Sequence, residues 1–244
     1  MYYYFTRCFK ENVKLSLSGK LYIVSTPIGN LGDISFRCLE TLKNVDAIAC
    51  EDTRVTKKIL YHHTINTKLI TYNSINESKG VYRLIERLNN GENIALVSDA
   101  GTPCISDPGY RLVHNCHLEN IEVVSIPGPS AVISALSISG LPTDSFYFCG
   151  FLPRKKGRKT KFEFLVTIPT TIVIYESPHR VIKTLKDIYF YMGDRNISVC
   201  REITKMYEEV VFDNVSSVIN NFEGRSTIKG EFVILISKEG YEIK

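Results

Sequence analysis

Apolar and polar positions follow two different periods along the first half of this chain. Short apolar runs at residues 21–25, 47–50, 68–71, 94–98 and 122–126 predict strands, because continuous apolar runs of this length suit a strand buried on both faces. Between them the spacing predicts helices over 35–43, 55–62, 81–90 and 110–118, with Leu84, Ile85 and Leu88 on one stripe of the third. This strand–helix alternation predicts a mainly parallel sheet with helices on its faces. The second half changes character. It predicts helices over 130–139, 181–191 and 215–221, and strands over 146–149, 171–175, 197–200, 210–213 and 232–237. Strands outnumber helices here, so antiparallel pairing is expected. The fold class is α/β with two domains, 20–126 and 127–244, divided near Ile126-Pro127.

Four predicted strands end in turns rich in Gly, Pro, Ser and Asp. The longest follows Ile94–Val97 and reads Ser98-Asp99-Ala100-Gly101-Thr102-Pro103, then Asp107-Pro108-Gly109. The others are Pro27-Ile28-Gly29, Pro127-Gly128-Pro129-Ser130-Ala131 and Glu176-Ser177-Pro178-His179-Arg180. Any one of them reads as an ordinary connection. Four together point to one shared cleft at the carboxyl edge of a sheet, where open α/β sheets bind ligands.

Composition narrows the class without identifying it. With 244 residues, 44% hydrophobic and 23% charged, the chain is an ordinary globular protein. No apolar stretch reaches membrane-span length, and residues 1–20 lack a signal or transit pattern. The net charge is +4, of which residues 1–20 supply +3, so overall charge does not argue for nucleic acid. Local charge does: Arg154, Lys155, Lys156, Arg158, Lys159 and Lys161 cluster around Gly157. A solvated surface segment is the plain reading, and a positive loop overhanging a cleft that takes a polyanion is the functional one. Seven cysteines in no close pair read as reduced thiols in a cytosolic protein.

Common chemistry-bearing motifs are missing. The chain has no Walker A loop, no GxGxxG and no GxSxG. His114, Cys116 and His117 lack a fourth partner and read as a helix surface. Glu51-Asp52-Thr53-Arg54 follows a strand directly, where its carboxylates suit either acid/base work or a helix cap.

Taken in order, six segments resemble one family. They are V-S-T-P-I-G-N-L-G-D-I from Val24, E-D-T-R from Glu51, L-V-S-D-A-G-T-P-x-I-S-D-P-G from Leu96, I-P-G-P-S-A from Ile126, G-F-L-P-R-K from Gly150 and Y-E-S-P-H-R from Tyr175. The series resembles the ribosomal 16S rRNA (cytidine-2′-O)-methyltransferases of the tetrapyrrole-methylase fold group. The second and third segments distinguish it from precorrin methylases of the same fold. The resemblance implies a mainly parallel N-terminal sheet, a mixed C-terminal sheet, and S-adenosylmethionine in the cleft between them. It further implies a cytoplasmic homodimer acting on 16S rRNA within the small ribosomal subunit, with no membrane association.

Residue by residue, the resemblance puts the cofactor against Pro27, Gly29, Asp99, Ala100, Gly101, Thr102, Ser130, Ala131, Tyr175 and Glu231. The RNA side would carry Arg54, Arg154, Lys155, Lys156, Arg158, His179, Arg180, Arg201 and Lys205. Methyl transfer to a ribose hydroxyl needs an aligned oxygen and a proton acceptor, and no metal. Glu51, Asp52 and Asp99 are the unranked candidates, Asp99 having cofactor binding as a second role. A tetrapyrrole C-methyltransferase and a non-catalytic ribosome-binding factor are the rival classes. Residues 1–19 stand apart as an extension without a counterpart, and Ser25 replaces a common proline with little expected consequence. The chain ends soon after Ser237, where many members continue into a helical segment; the expected effect is on ribosome binding, not catalysis.

Overall fold

The computed structural model describes residues 18–241 apart from Asn76. Most of the extension over 1–19, with Cys8, therefore lies outside the described residues.

Strands β1 (Leu21–Val24), β2 (Ala47–Cys50), β3 (Leu69–Thr71), β4 (Ile94–Val97) and β5 (Val123–Ile126) form the first sheet, in the order β3-β2-β4-β1-β5. Every pairing in it is parallel. Period-2 geometry splits each strand between two cores. Ala47 and Ala49 join Leu84, Leu88 and Leu112, from α3 (Glu77–Asn89) and α4 (Tyr110–Leu118), on one face. Ile48 and Cys50 join Cys38, Leu42 and Leu60, from α1 (Phe36–Asn44) and α2 (Thr53–His62), on the other. Side-chain caps start two of these helices: Ser35 accepts from the Cys38 amide at 3.1 Å, and Asp52 from the Arg54 amide at 2.8 Å.

The second sheet is mixed. Strands β6 (Phe146–Phe151), β7 (Thr171–Glu176), β8 (Asn196–Arg201), β9 (Glu209–Asn214) and β10 (Phe232–Ile236) run in the order β6-β7-β10-β8-β9. Only β6 and β7 pair parallel, joined through α6 (Arg158–Val166); the other pairs are antiparallel. Helix α6, α7 (Val181–Met192) and α8 (Val215–Glu223) cover one face through Phe162, Leu185 and Phe222. The other face takes α5 (Ala131–Ile138), whose Val132, Ala135 and Leu136 pack with Val173, Cys200 and Leu235. Ile28, from the turn after β1, belongs to that same cluster. One apolar side chain thus pins the first sheet's loop edge to the second sheet.

Topology then selects a place for a ligand. Strands β1 and β4 are neighbours, but β1 connects onward to β2 on one side of the pair and β4 to β5 on the other. The crevice beyond the carboxyl ends of two such strands is the switch point, where parallel sheets leave room for a ligand. Among the described residues no helix is long and apolar enough to cross a membrane, and no cluster of metal-ligating side chains occurs.

Candidate active site

Three loops meet at the switch point and lock together. Thr26 and Gly101 exchange backbone hydrogen bonds at 2.9 and 3.0 Å. Thr26 Oγ1 donates to the Ser98 carbonyl, and Thr102 Oγ1 to the Pro129 carbonyl, each at 3.2 Å. Ser25 Oγ lies 2.9 Å from Thr102 Oγ1. A proline at residue 25 could not make that bond, so the serine has a local function that its sequence position did not suggest. The 98–109 loop is bent sharply, with Gly101, Cys104, Ser106 and Gly109 at φ 82°, 71°, 64° and 140°. For Cys104 and Ser106 such angles are uncommon and are retained only where surrounding structure holds them.

Between these loops and the second sheet lies a cavity of about 350 Å³. Its walls are mostly apolar, from Ile28, Ala100, Ile105, Phe151, Tyr175 and Ile203, with Asp99, Thr102, Asp107, Ser130 and Glu231 interspersed. A cavity of this size and mixture fits a small-molecule cofactor. Gly101 supports the fit, since a Cβ there would come within 3.3 Å of Ile28 and narrow the wall. Asp99 also borders a second, polar cavity with Glu51, Asp52, Arg54, Thr71 and Asn73. A larger groove, about 640 Å³, runs between α3 and α4 but gathers none of the strand-end loops.

Carboxylates concentrate where the two cavities meet. Burial pushes Asp107 up to about 6, with the charges of Glu51 and Asp99 adding and a Ser98 hydrogen bond opposing. Burial likewise raises Glu51, reinforced by Asp99 and Asp52. Asp52 goes the other way: hydrogen bonds from the Arg54 side chain and backbone pull it down to about 2. Its carboxylate is gripped by the Arg54 guanidinium at 2.6–3.1 Å. Asp99 Oδ1 accepts the Asp52 amide at 3.0 Å and so fixes the start of α2.

Of the cofactor residues expected from sequence, Asp99, Ala100, Gly101, Thr102, Ser130, Ala131, Tyr175 and Glu231 line the cavity. Pro27 and Gly29 do not; Ile28 between them does. Gly29 instead lies under Lys205, and a Cβ on it would be 2.3 Å from the lysine Cγ. Lys205 Nζ in turn bridges Glu202 and Glu231, both at 2.9 Å. Lys205 therefore straps the two halves beside the cavity, a role different from the RNA contact expected of it.

The expected RNA face divides. Arg154, Lys155, Lys156 and His179 are exposed. Arg158 is not: its side chain is 9% exposed and pairs with Asp187 at 2.7 Å and Thr184 Oγ1 at 2.8 Å. The cause is local. Gly157, at φ 79°, turns the chain into α6 one residue earlier and aims Arg158 at α7. Arg180 is likewise engaged, by buried Glu176 at 2.6 Å and the Leu152 carbonyl at 3.1 Å. Arg201 is held by Glu209 at 3.3 Å and the Lys229 carbonyl at 2.7 Å. These three arginines hold the fold together.

Sequence reasoning missed Asp107, Ile105, Phe151 and Ile203 as cavity residues. Asp107 had a signal, a second acidic turn leaving the same strand. Ile105 lies in the same loop, whereas Phe151 and Ile203 had no signal, because an apolar side chain at or just past a strand end reads as core.

Residues 20–219 match the family described as Tetrapyrrole (Corrin/Porphyrin) Methylases. A protein of Halalkalibacterium halodurans named ribosomal RNA small subunit methyltransferase I is 48% identical, over 93% of this chain and 78% of its own. Its namesake in Thermotoga maritima is 45% identical over 91% of this chain and all (100%) of its own. The namesake in Escherichia coli O157:H7 is 46% identical over 92% of this chain and 79% of its own. Among solved structures, a diphthine synthase superposes with TM-score 0.72 at 14% identity, covering 92% of each chain. Uroporphyrin-III C-methyl transferase of Thermus thermophilus, complexed with S-adenyl homocysteine, gives TM-score 0.62 at 16% identity over 89% of this chain and 97% of its own. At such identities these two likenesses are of fold.

Proposed function

The chain belongs to the tetrapyrrole methylase family and, within it, to the ribosomal RNA small subunit methyltransferases I, and on that premise we propose that it methylates the ribose 2′-oxygen of a cytidine in the decoding centre of 16S rRNA, with S-adenosylmethionine as donor. The observation that carries the reading is the pair of cavities sharing Asp99. One is apolar and of cofactor size, the other polar and bordered by Glu51, Asp52 and Arg54. A tetrapyrrole acceptor would call for a wide apolar trough in place of the second.

Ile28, the 99–102 turn, Ser130, Tyr175 and Glu231 would hold the cofactor. Bound there, S-adenosylmethionine supplies an activated methyl carbon that already carries its leaving group. The chain's own residues must align the acceptor hydroxyl and take its proton. Asp99, at the junction, orients that hydroxyl with the carboxylate oxygen that Asp52 leaves unused. Glu51, raised by burial with Asp99 and Asp52 adding, and Asp107, raised by burial with Glu51 and Asp99 adding, are the groups that accept the proton. Asp52, pulled down to about 2, is the weakest base of the set; it caps α2 and fixes Arg54.

Arg154, Lys155, Lys156 and His179 face the RNA from the second sheet. We place the enzyme in the cytoplasm, where the assembled small subunit is its partner. It acts as a homodimer, a state supported by the open edge of β9, which exposes Val210 and Phe212 close to Gly140 and the end of α5.

Incubation with S-adenosylmethionine labelled on the methyl group and unmodified small subunits tests the reaction. Label on a ribose 2′-oxygen of a decoding-centre cytidine is the expected result. Label on a base, or none despite tight cofactor binding, would refute it.

A further inference from the structure

Helix α2 carries a surface that runs on from Arg54, at the border of the polar cavity, over residues that line neither cavity. Its sequence, T-R-V-T-K-K-I-L-Y-H, has three full cations and no acid. Thr56, Ile59 and Leu60 are buried, while Arg54, Lys57, Lys58 and Tyr61 are exposed. Spaced i, i+3, i+4 and i+7, these four share one face, a strip about 10 Å long at roughly 1.5 Å per residue. The ammonium groups of Lys57 and Lys58 make no ion pair or hydrogen bond among the described residues. Tyr61 is 89% exposed.

Helix stability does not account for this strip. Solvated helices gain from opposite charges four residues apart, and α2 has none to offer. Positive charge in the first half of a helix opposes the macrodipole. A tyrosine left in water contributes little to packing. What the strip does have is position. Its first member, Arg54, borders the polar cavity, and Lys57, Lys58 and Tyr61 continue from there along the outer surface.

Cations interleaved with an exposed aromatic ring match one ligand chemistry, a flexible polyanion whose bases have π faces. We propose that this face of α2 binds the single-stranded RNA flanking the acceptor nucleotide, Lys57 and Lys58 on phosphates and Tyr61 under a base. The inference rests on the rRNA methyltransferase reading above. It gives the RNA a path on the first sheet's side of the cleft, opposite Arg154, Lys155 and Lys156. The acceptor would then be held from both sides.

The test is binding of a fluorescein-labelled single-stranded RNA of the acceptor region to the full chain across a salt series, alongside methyl transfer to small subunits. Lys57→Ala with Lys58→Ala should weaken RNA binding and flatten the slope of log K against log salt by about 1.4, two phosphates at roughly 0.7 each for single strands. Tyr61→Ala should weaken binding roughly tenfold and leave the slope unchanged, because stacking releases no counterions. Cofactor affinity should not move in either variant, which also reports that both are folded. Wild-type affinity and slope in both variants would overturn the inference while leaving the methyltransferase reading intact. A loss explained by altered oligomeric state in sedimentation would also overturn it, making α2 a protein contact. A wild-type chain that neither binds the RNA nor methylates subunits would instead remove the reading on which the inference rests.

Discussion

At the scale of single residues, the site's chemistry depends on how differently three nearby carboxylates are treated. Asp52 is held low by Arg54, whereas burial raises Glu51 and brings Asp107 to about 6. A raised carboxylate weakens the fold when ionised. Below about pH 4 Asp107 is protonated both folded and unfolded and adds no penalty. The penalty builds between about pH 4, where the unfolded chain's carboxyl ionises, and about 6, where the folded one follows, and is constant above. Asp107→Asn should therefore be more heat-stable than the parent at pH 7.5, and the advantage should disappear near pH 4 in thermal melts. The same substitution should lower kcat roughly 100- to 1,000-fold, the lower part of what a positioned proton acceptor contributes. Its acid limb near pH 6 should move or vanish. Unchanged kcat with an unchanged pH profile would take Asp107 out of the mechanism.

At the scale of elements, the 98–109 loop and α6 show opposite uses of a left-handed glycine. Gly109, at φ 140°, lies against the sheet, and a Cβ there would be 2.6 Å from Cys104 Sγ and 2.8 Å from Leu96 Cδ2. Gly109→Ala should cost roughly 2–5 kcal/mol, strain and overpacking together. It should also weaken cofactor binding, because the loop cannot shift without moving Asp99 and Thr102. Gly157 has a similar φ, 79°, but nothing within 4 Å of an added Cβ. Gly157→Ala should cost only about 1 kcal/mol of backbone strain. Chemical denaturation of both variants checks the contrast, and equal losses would mean that backbone angle alone sets the cost.

At the scale of the whole molecule, contacts that join the two sheets include Ile28 in the second sheet's core, Lys205 over Gly29 and Ser106 against Gly150. The proposed dimer adds a further surface at the β9 edge, where Ile138, Val210 and Phe212 are about two-fifths exposed, at 43%, 40% and 39%. Sedimentation should give twice the chain mass for the wild type and a monomer for Phe212→Glu. A wild-type monomer, or an unaffected dimer in the variant, would place the interface elsewhere or remove it.

Much of this was legible in sequence because it depends on local periodicity. Runs such as Ala47–Cys50 and Ile94–Val97 read as buried strands, and that is what they form. The Gly-, Pro- and Asp-rich turns marked the strand ends, since backbone angles and caps are set by neighbouring residues. The group of loops that line the cavity was legible in the same way, whereas the mixed character of the second sheet, with its parallel β6–β7 pair, followed only from the family resemblance. What sequence left open was direction. The basic run after Pro153 looks uniform, but Gly157 and α6 turn Arg158 inward to Asp187 while Arg154, Lys155 and Lys156 remain in water. Arg180 and Arg201 likewise became structural through partners, Glu176 and Glu209, whose proximity no spacing reveals. Asp52 and Asp107 are the same residue type in similar turns, yet only packing separates a carboxylate at about 2 from one at about 6. Local sequence determines which backbone conformation each segment adopts. Burial and charge neighbours are sums over segments distant in the chain, so only the tertiary structure decides them.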